Sequence, residues 1–354
     1  MKYQYYILLL IIGISSCKEA EKKPDVSESE KIESTLKEAS SLDEINQEIL
    51  NNPESPNGYY RRAFYYKNNY EFNNAITDIN RALKLTPDVP ALTYLKADIL
   101  FNQAGATQNP VLYEQAEIYL LETIKMDSTH VEAQVLEARI NMAKPNLDMA
   151  MSNLNSALRA DKRFAPAYFW KAMIFELKRE TEKAKSSYQT AIEIDANYYD
   201  ALHHLGNIYA KELDEKALTY YDAALAIQPE SFEVMRNKGL YLKDMENYKD
   251  AKVCFENIIA TDDHCEECYF NIGNIYIAAF RDDMTEFSKD TTMNRALEYF
   301  QKAIELNDQY VDAFYNTGLI YEHKGNRKKA IEFYQKALVI EPMHEPSMDA
   351  LRSF

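Results

Sequence analysis

Glycine is scarce in this chain, 8 of 354 residues, and half of the eight (Gly206, Gly239, Gly273 and Gly318) fall at the same position of a repeating unit. Glycine used that way serves close helix packing rather than phosphate-cradling loops, so the composition favours helices. A basic run is also lacking. The formal charge is −16, and −17 without the first 16 residues, whose only charge is Lys2. So acidic a chain, without a basic run, is a poor binder of nucleic acid or of anionic membrane surfaces. The apolar run from Ile7 to Ile14 is too short to cross a bilayer. No nucleophile elbow, glycine-rich nucleotide loop or metalloprotease helix is present, which argues against an enzyme, a cofactor or a small-molecule substrate.

Aromatic residues are abundant, 12% of the chain with 27 tyrosines, and they are ordered. Between Val311 and His344, Phe314, Thr317, Gly318, Tyr321, Ala330, Tyr334, Ala337 and Pro342 stand at positions 4, 7, 8, 11, 20, 24, 27 and 32 of a unit about 34 residues long. The small residues let two antiparallel helices approach, and the rings fill the seam beside them. Gly325 breaks the chain between the helices and Pro342 stops the second. This stretch resembles a tetratricopeptide repeat. Similar units read at 56–89, 90–130, 131–164, 165–198, 199–231, 232–265, 266–310 and 311–344. Residues Gln103 to Pro110 are expected to lengthen one inter-helix turn, and a polar insertion falls around Arg281 to Thr292. The implied fold is all-α, a right-handed superhelical solenoid of eight helix-turn-helix repeats, each burying its apolar face against its neighbours. Leu42 to Leu50, with Ile45, Ile49 and Leu50 on one side, is expected to cap it within 42–55, and 345–354 remains as a carboxy-terminal remnant.

The amino terminus has the shape of a signal peptide over 1–16. Ile14-Ser15-Ser16-Cys17 resembles a bacterial lipobox, which implies acylation of Cys17 and anchoring without a spanning helix. Residues 17–41 then read as a flexible tether, charged and without aromatics. Lys18 after the cysteine, in place of an aspartate, points to the outer membrane, on its periplasmic face or at the cell surface.

Two clusters invite chemistry. His264-Cys265-Glu266-Glu267-Cys268 can ligate zinc, exchange thiols or close a disulfide in an oxidising compartment, or the cysteines are small turn residues; no second ligand pair follows at zinc-finger spacing. His203 and His204 are adjacent on a helix, about 100° apart, and cannot both face one ion, so a groove histidine beside a solvated one is expected.

The family resemblance also implies a binding groove, because the first helix of each repeat lines the concave surface with its positions 2, 5, 6, 9 and 12. Those positions include Tyr94, Phe169, Trp170, His203, Asn207, Arg236, Asn237, Phe270, Asn271, Asn274, Tyr315 and Asn316. Asn237, Asn271 and Asn316 share position 6, and Asn207 and Asn274 share position 9. An amide both donates and accepts, so such a ladder can grip the backbone of an extended peptide; alternatively the amides tie adjacent first helices together. The expected function is a membrane-anchored scaffold or adaptor for a peptide or partner protein. The alternative is a structural assembly factor of an envelope machine, of the pilus, gliding or secretion kind.

Overall fold

The computed structural model describes residues 41–279 and 286–354, with side chains from 289 onward in the second segment. Cys17, the tether before Ser41 and the first part of the 281–292 insertion lie outside the described residues. Eighteen helices and no strand are present among them.

The described residues fall in two compact units, one ending at Lys162 and the other running from Arg163 to Phe354. The first holds α1 (Leu42–Asn51), α2 (Pro56–Asn68), α3 (Phe72–Leu85), α4 (Pro90–Thr107), α5 (Pro110–Met126), α6 (Val131–Ala143) and α7 (Leu147–Ala160). The second holds α8 (Ala165–Leu177), α9 (Thr181–Ile194), α10 (Tyr199–Lys211), α11 (Lys216–Ile227), α12 (Phe232–Asp244), α13 (Tyr248–Thr261), α14 (Glu266–Ala278), α15 (Glu286–Leu306), α16 (Val311–His323), α17 (Arg327–Ile340) and α18 (Glu345–Arg352). Helices pair as hairpins, α2 with α3 through to α16 with α17, and within each unit every hairpin leans on the next in sequence.

Small residues set the hairpin spacing. Ala63 and Ala75, Ala172 and Ala184, and their counterparts in other hairpins are fully buried. Where glycine takes the first-helix place, a ring of the second helix fills the vacated space: a Cβ built on Gly273 would lie 2.6 Å from Phe300, and one on Gly318 2.5 Å from Tyr334. Among the described residues, hairpin corners use the left-handed region, and only the last does so with glycine, Gly325 at φ +71°. Tyr70, Gln108, Arg179, Leu213 and Glu246 take φ 62°, 53°, 59°, 55° and 59° at five of the others, which L-residues adopt at some cost.

Three expectations need correction. Residues 103–110 do not lengthen a turn: α4 continues through buried Ala104 to Thr107, and only Gln108 and Asn109 separate it from α5. Ala104 and Ala106 favour the helix and Ala104 is fully buried, which outweighs the cost of Gly105, so the extra residues emerge as a longer hairpin of 18 and 17 residues. The start of α1 is held by a capping box between Ser41 and Glu44, and Ile45 and Ile49 are buried, but Leu50 is 71% exposed. Leu50 sits about 100° around the helix from Ile49 and so cannot share its face. The residues after 344 are not a remnant, since α18 packs on α17, buries Ser347 and brings the Phe354 ring 6.2 Å from that of Tyr334.

The first unit also buries a strained carboxyl. Glu137 on α6 is 6% exposed; Oε1 accepts from the Asn141 amide at 3.1 Å, while Oε2 has no partner. Burial, and then the charge of Glu117, push its pKa up. A carboxyl whose folded pKa lies above its unfolded one costs nothing while both states are protonated and destabilises as pH rises through that window. Glu137→Gln should therefore raise the melting temperature by a few degrees near pH 8 and leave it unchanged near pH 4. Equal shifts at both pH values would show that the charge is not the cause.

Candidate functional site

In the second unit the first helices α8, α10, α12, α14 and α16 bring most of the expected groove residues together, and hydrogen bonds tie successive helices along that row. On α10, His203 is 5% exposed. Its Nε2 lies 3.1 Å from the Asn207 amide nitrogen and 3.0 Å from that of Asn237 on α12. Both amides present N–H groups, so Nε2 accepts and the ring is neutral with its proton on Nδ1. Burial lowers the His203 pKa, against the pull of Glu233, and so favours that form. Asn237 also donates to the Asn207 oxygen at 3.1 Å, which accepts from the Tyr221 hydroxyl at 2.8 Å.

Arg236, next to Asn237, makes a bidentate pair with Glu267 on α14, Nε at 2.7 Å and Nη2 at 2.6 Å. That bond holds the guanidinium pKa above its ordinary value. Asn271 is 4% exposed and bonded at both ends of its amide, donating to the Glu267 carbonyl at 2.9 Å and accepting from Lys243 at 3.0 Å. Asn316 on α16 donates to the Asn274 oxygen at 2.8 Å. In that last pair the Asn274 amide nitrogen and the Asn316 oxygen have no partner among the described residues.

The aromatic residues divide. Phe169 is 6% exposed and belongs to the core, stacked on Tyr198 at 5.3 Å with Trp170 edge-on at 5.2 Å. Trp170, Phe270 and Tyr315 are half-buried on the same row. The Phe270 ring lies 4.7 Å from that of Tyr310, and Tyr315 meets His344 at 5.4 Å. Tyr94 belongs to α4 of the first unit, half-buried with its ring 4.8 Å from His130; burial raises its pKa.

The second histidine is only partly solvated, its side chain 32% exposed. The His204 ring stacks on Tyr188 at 5.6 Å, with Nδ1 3.4 Å from Glu176. Tyr188 donates to the same carboxylate at 2.7 Å, as Tyr334 does to Glu322 at 2.5 Å. These tyrosine–glutamate pairs were missed in the sequence although a signal exists, a glutamate twelve residues before the seam tyrosine. Cys265 and Cys268 are joined as a disulfide and buried, with Cys254 a separate buried thiol. Both sulfurs of the CxxC are thereby taken, and His264 stands exposed with its Nδ1 2.7 Å from Asp263.

Models of the tetratricopeptide repeat match residues 56–89, 165–198 and 311–344. The chain carries tetratricopeptide repeats. Among its relatives, the human mitochondrial import receptor subunit TOM70 is 24% identical over 259 residues, a stretch covering 62% of this chain and 40% of the receptor. A TPR repeat-containing protein of Methanocaldococcus jannaschii is 22% identical over 329 residues, covering 85% of this chain and 53% of that protein. This tetratricopeptide chain thus spans about half or less of the length of these curated relatives. Of solved structures, YrrB, described as a TPR protein with an unusual peptide-binding site, matches with a TM-score of 0.46 and 26% identity, over 56% of this chain and 97% of that one. PilW, described as a widely conserved type IV pilus biogenesis factor, gives 0.49 and 18% over 62% and 98%.

Proposed function

We propose that this tetratricopeptide protein is an envelope scaffold, anchored by lipid on Cys17 in the outer membrane, whose second unit holds an extended segment of a partner protein along its first helices. One observation carries the binding reading: the Asn274–Asn316 pair, half-buried on adjacent first helices, keeps one donor and one acceptor open. An extended backbone offers the complement, a C=O and an N–H on each residue. The half-buried rings of Phe270 and Tyr315 lie on the same helices and supply apolar contact. Asn207, Asn237 and Asn271 are spent on intramolecular bonds and act as ties between helices. The buried disulfide supports an oxidising compartment, which agrees with export.

The experiment is crosslinking in the native cell, followed by purification through this chain. Asn274→Ala with Asn316→Ala should reduce partner recovery, by about 0.5–1.5 kcal/mol of binding per lost bond, with little change in melting. Asn237→Ala should instead lower melting. Cys17→Ser should release the protein from membranes or leave an uncleaved precursor. Undiminished recovery with the paired asparagine variant would refute the peptide reading, and an unchanged membrane fraction the anchor.

A further inference from the structure

The lengthened second hairpin displays an exposed stripe that no fold contact uses. On α5, Val111, Ile118 and Leu121 are 53%, 57% and 56% exposed. Glu114 and Lys125, also exposed, stand with them at successive spacings of 3, 4, 3 and 4 residues along the helix. That is the heptad spacing of a coiled-coil seam, and it keeps all five within one narrow face. The opposite face of α5 is the one that packs in the fold, with Ala116 and Leu120 fully buried. α5 has 17 residues where the corresponding helices α3 and α7 have 14, so its hairpin is longer than its neighbours by about one turn.

The order of residues in the stripe is self-complementary. Two copies of α5 laid antiparallel across a two-fold axis midway between Ile118 and Leu121 place Ile118 of each on Leu121 of the other. The same axis places Glu114 of each opposite Lys125 of the other, and neither charge has a partner among the described residues. A parallel arrangement would set Glu114 on Glu114 and Lys125 on Lys125. Glu117, at the edge of the face, would approach Glu122 of the other copy, but it is already neutralised by Lys144 at 2.6 Å. We propose that α5 is a homodimer interface, in which two chains associate as an isologous antiparallel helix pair through this stripe. An interface of one helix face is small, so the dimer is weak in solution, in the micromolar range of Kd or above.

The test is sedimentation velocity of the full chain in mild detergent over a range of concentrations. The wild type should show a monomer–dimer equilibrium. Leu121→Asp, at an exposed position that leaves the hairpin core intact, should weaken association at least about tenfold. Glu114→Lys and Lys125→Glu should each weaken it, because each sets like charges together twice, and the double variant should restore it to within about twofold. The restoration separates pairing from any damage to folding, which circular dichroism monitors in parallel. A wild type that stays monomeric at every concentration overturns the proposal. So does a dimer indifferent to Leu121→Asp, or charge variants whose effects add with no restoration.

Discussion

Gly273→Leu should loosen the α14–α15 hairpin while leaving the first unit at full protection from hydrogen exchange. A Cβ alone would sit 2.6 Å from Cε1 and 2.8 Å from Cδ1 of Phe300, closer than carbon atoms approach without a shift. Phe300 is itself fully buried, so its ring can yield only by pushing against neighbours or by separating the two helices. Overpacking of this kind costs about 1–3 kcal/mol, and a branched side chain belongs at the upper end. In a chain of hairpins packed in series, the damage reaches the adjoining units through their shared faces and fades beyond them. Amide exchange measured by mass spectrometry should therefore show lost protection centred on α14, α15 and their immediate neighbours. Equal loss from α2 to α17 would contradict that architecture.

The second large effect is expected from Asp78→Ala. Asp78 is 4% exposed on α3 and accepts from Arg62 on α2 through both oxygens, at 2.7 and 2.8 Å. The same guanidinium reaches Asn46 of α1 at 2.8 Å, so one arginine joins the first three helices. Deleting one member of a buried pair costs about 3–5 kcal/mol, since the other charge is left without a partner. Arg62 retains 24% side-chain exposure and can recover some hydration, which lowers the expectation to about 2–4 kcal/mol. Chemical denaturation should show an earlier midpoint for the first unit, and Asp78→Asn, which keeps an acceptor, should lose less. A midpoint unchanged by Asp78→Ala would mean that the pair contributes nothing net.

How much of this was legible in the sequence depends on what periodicity can carry. Gly318 next to Tyr334, and Gly273 next to Phe300, follow from spacing within one repeat, because a small residue and a ring at fixed positions on two helices have only one way to meet. Contacts between repeats depend on rotamers and on helix offset, which spacing leaves open. Asn237 was placed on the right face, yet its turn toward His203 and Asn207, away from a ligand, appears only once α10 and α12 are set side by side. The same holds for Phe169: its position is a groove position, but its ring turns inward onto Tyr198. The misread turn at 103–110 has another cause, namely that residues surplus to a repeat were assigned to a loop although Ala104, Gly105 and Ala106 extend a helix without interruption.

Trp170 is the single tryptophan of the chain, and it lies on α8, in the unit that begins at Arg163. Its indole meets Phe169 edge-on within a cluster of rings, an environment that changes when that cluster comes apart. Emission excited selectively at tryptophan thus watches one unit, while the far-ultraviolet ellipticity of the described helices sums both. The chain thus carries a probe of one unit beside a probe of both, and whether their transitions coincide tells whether the two units unfold together or separately.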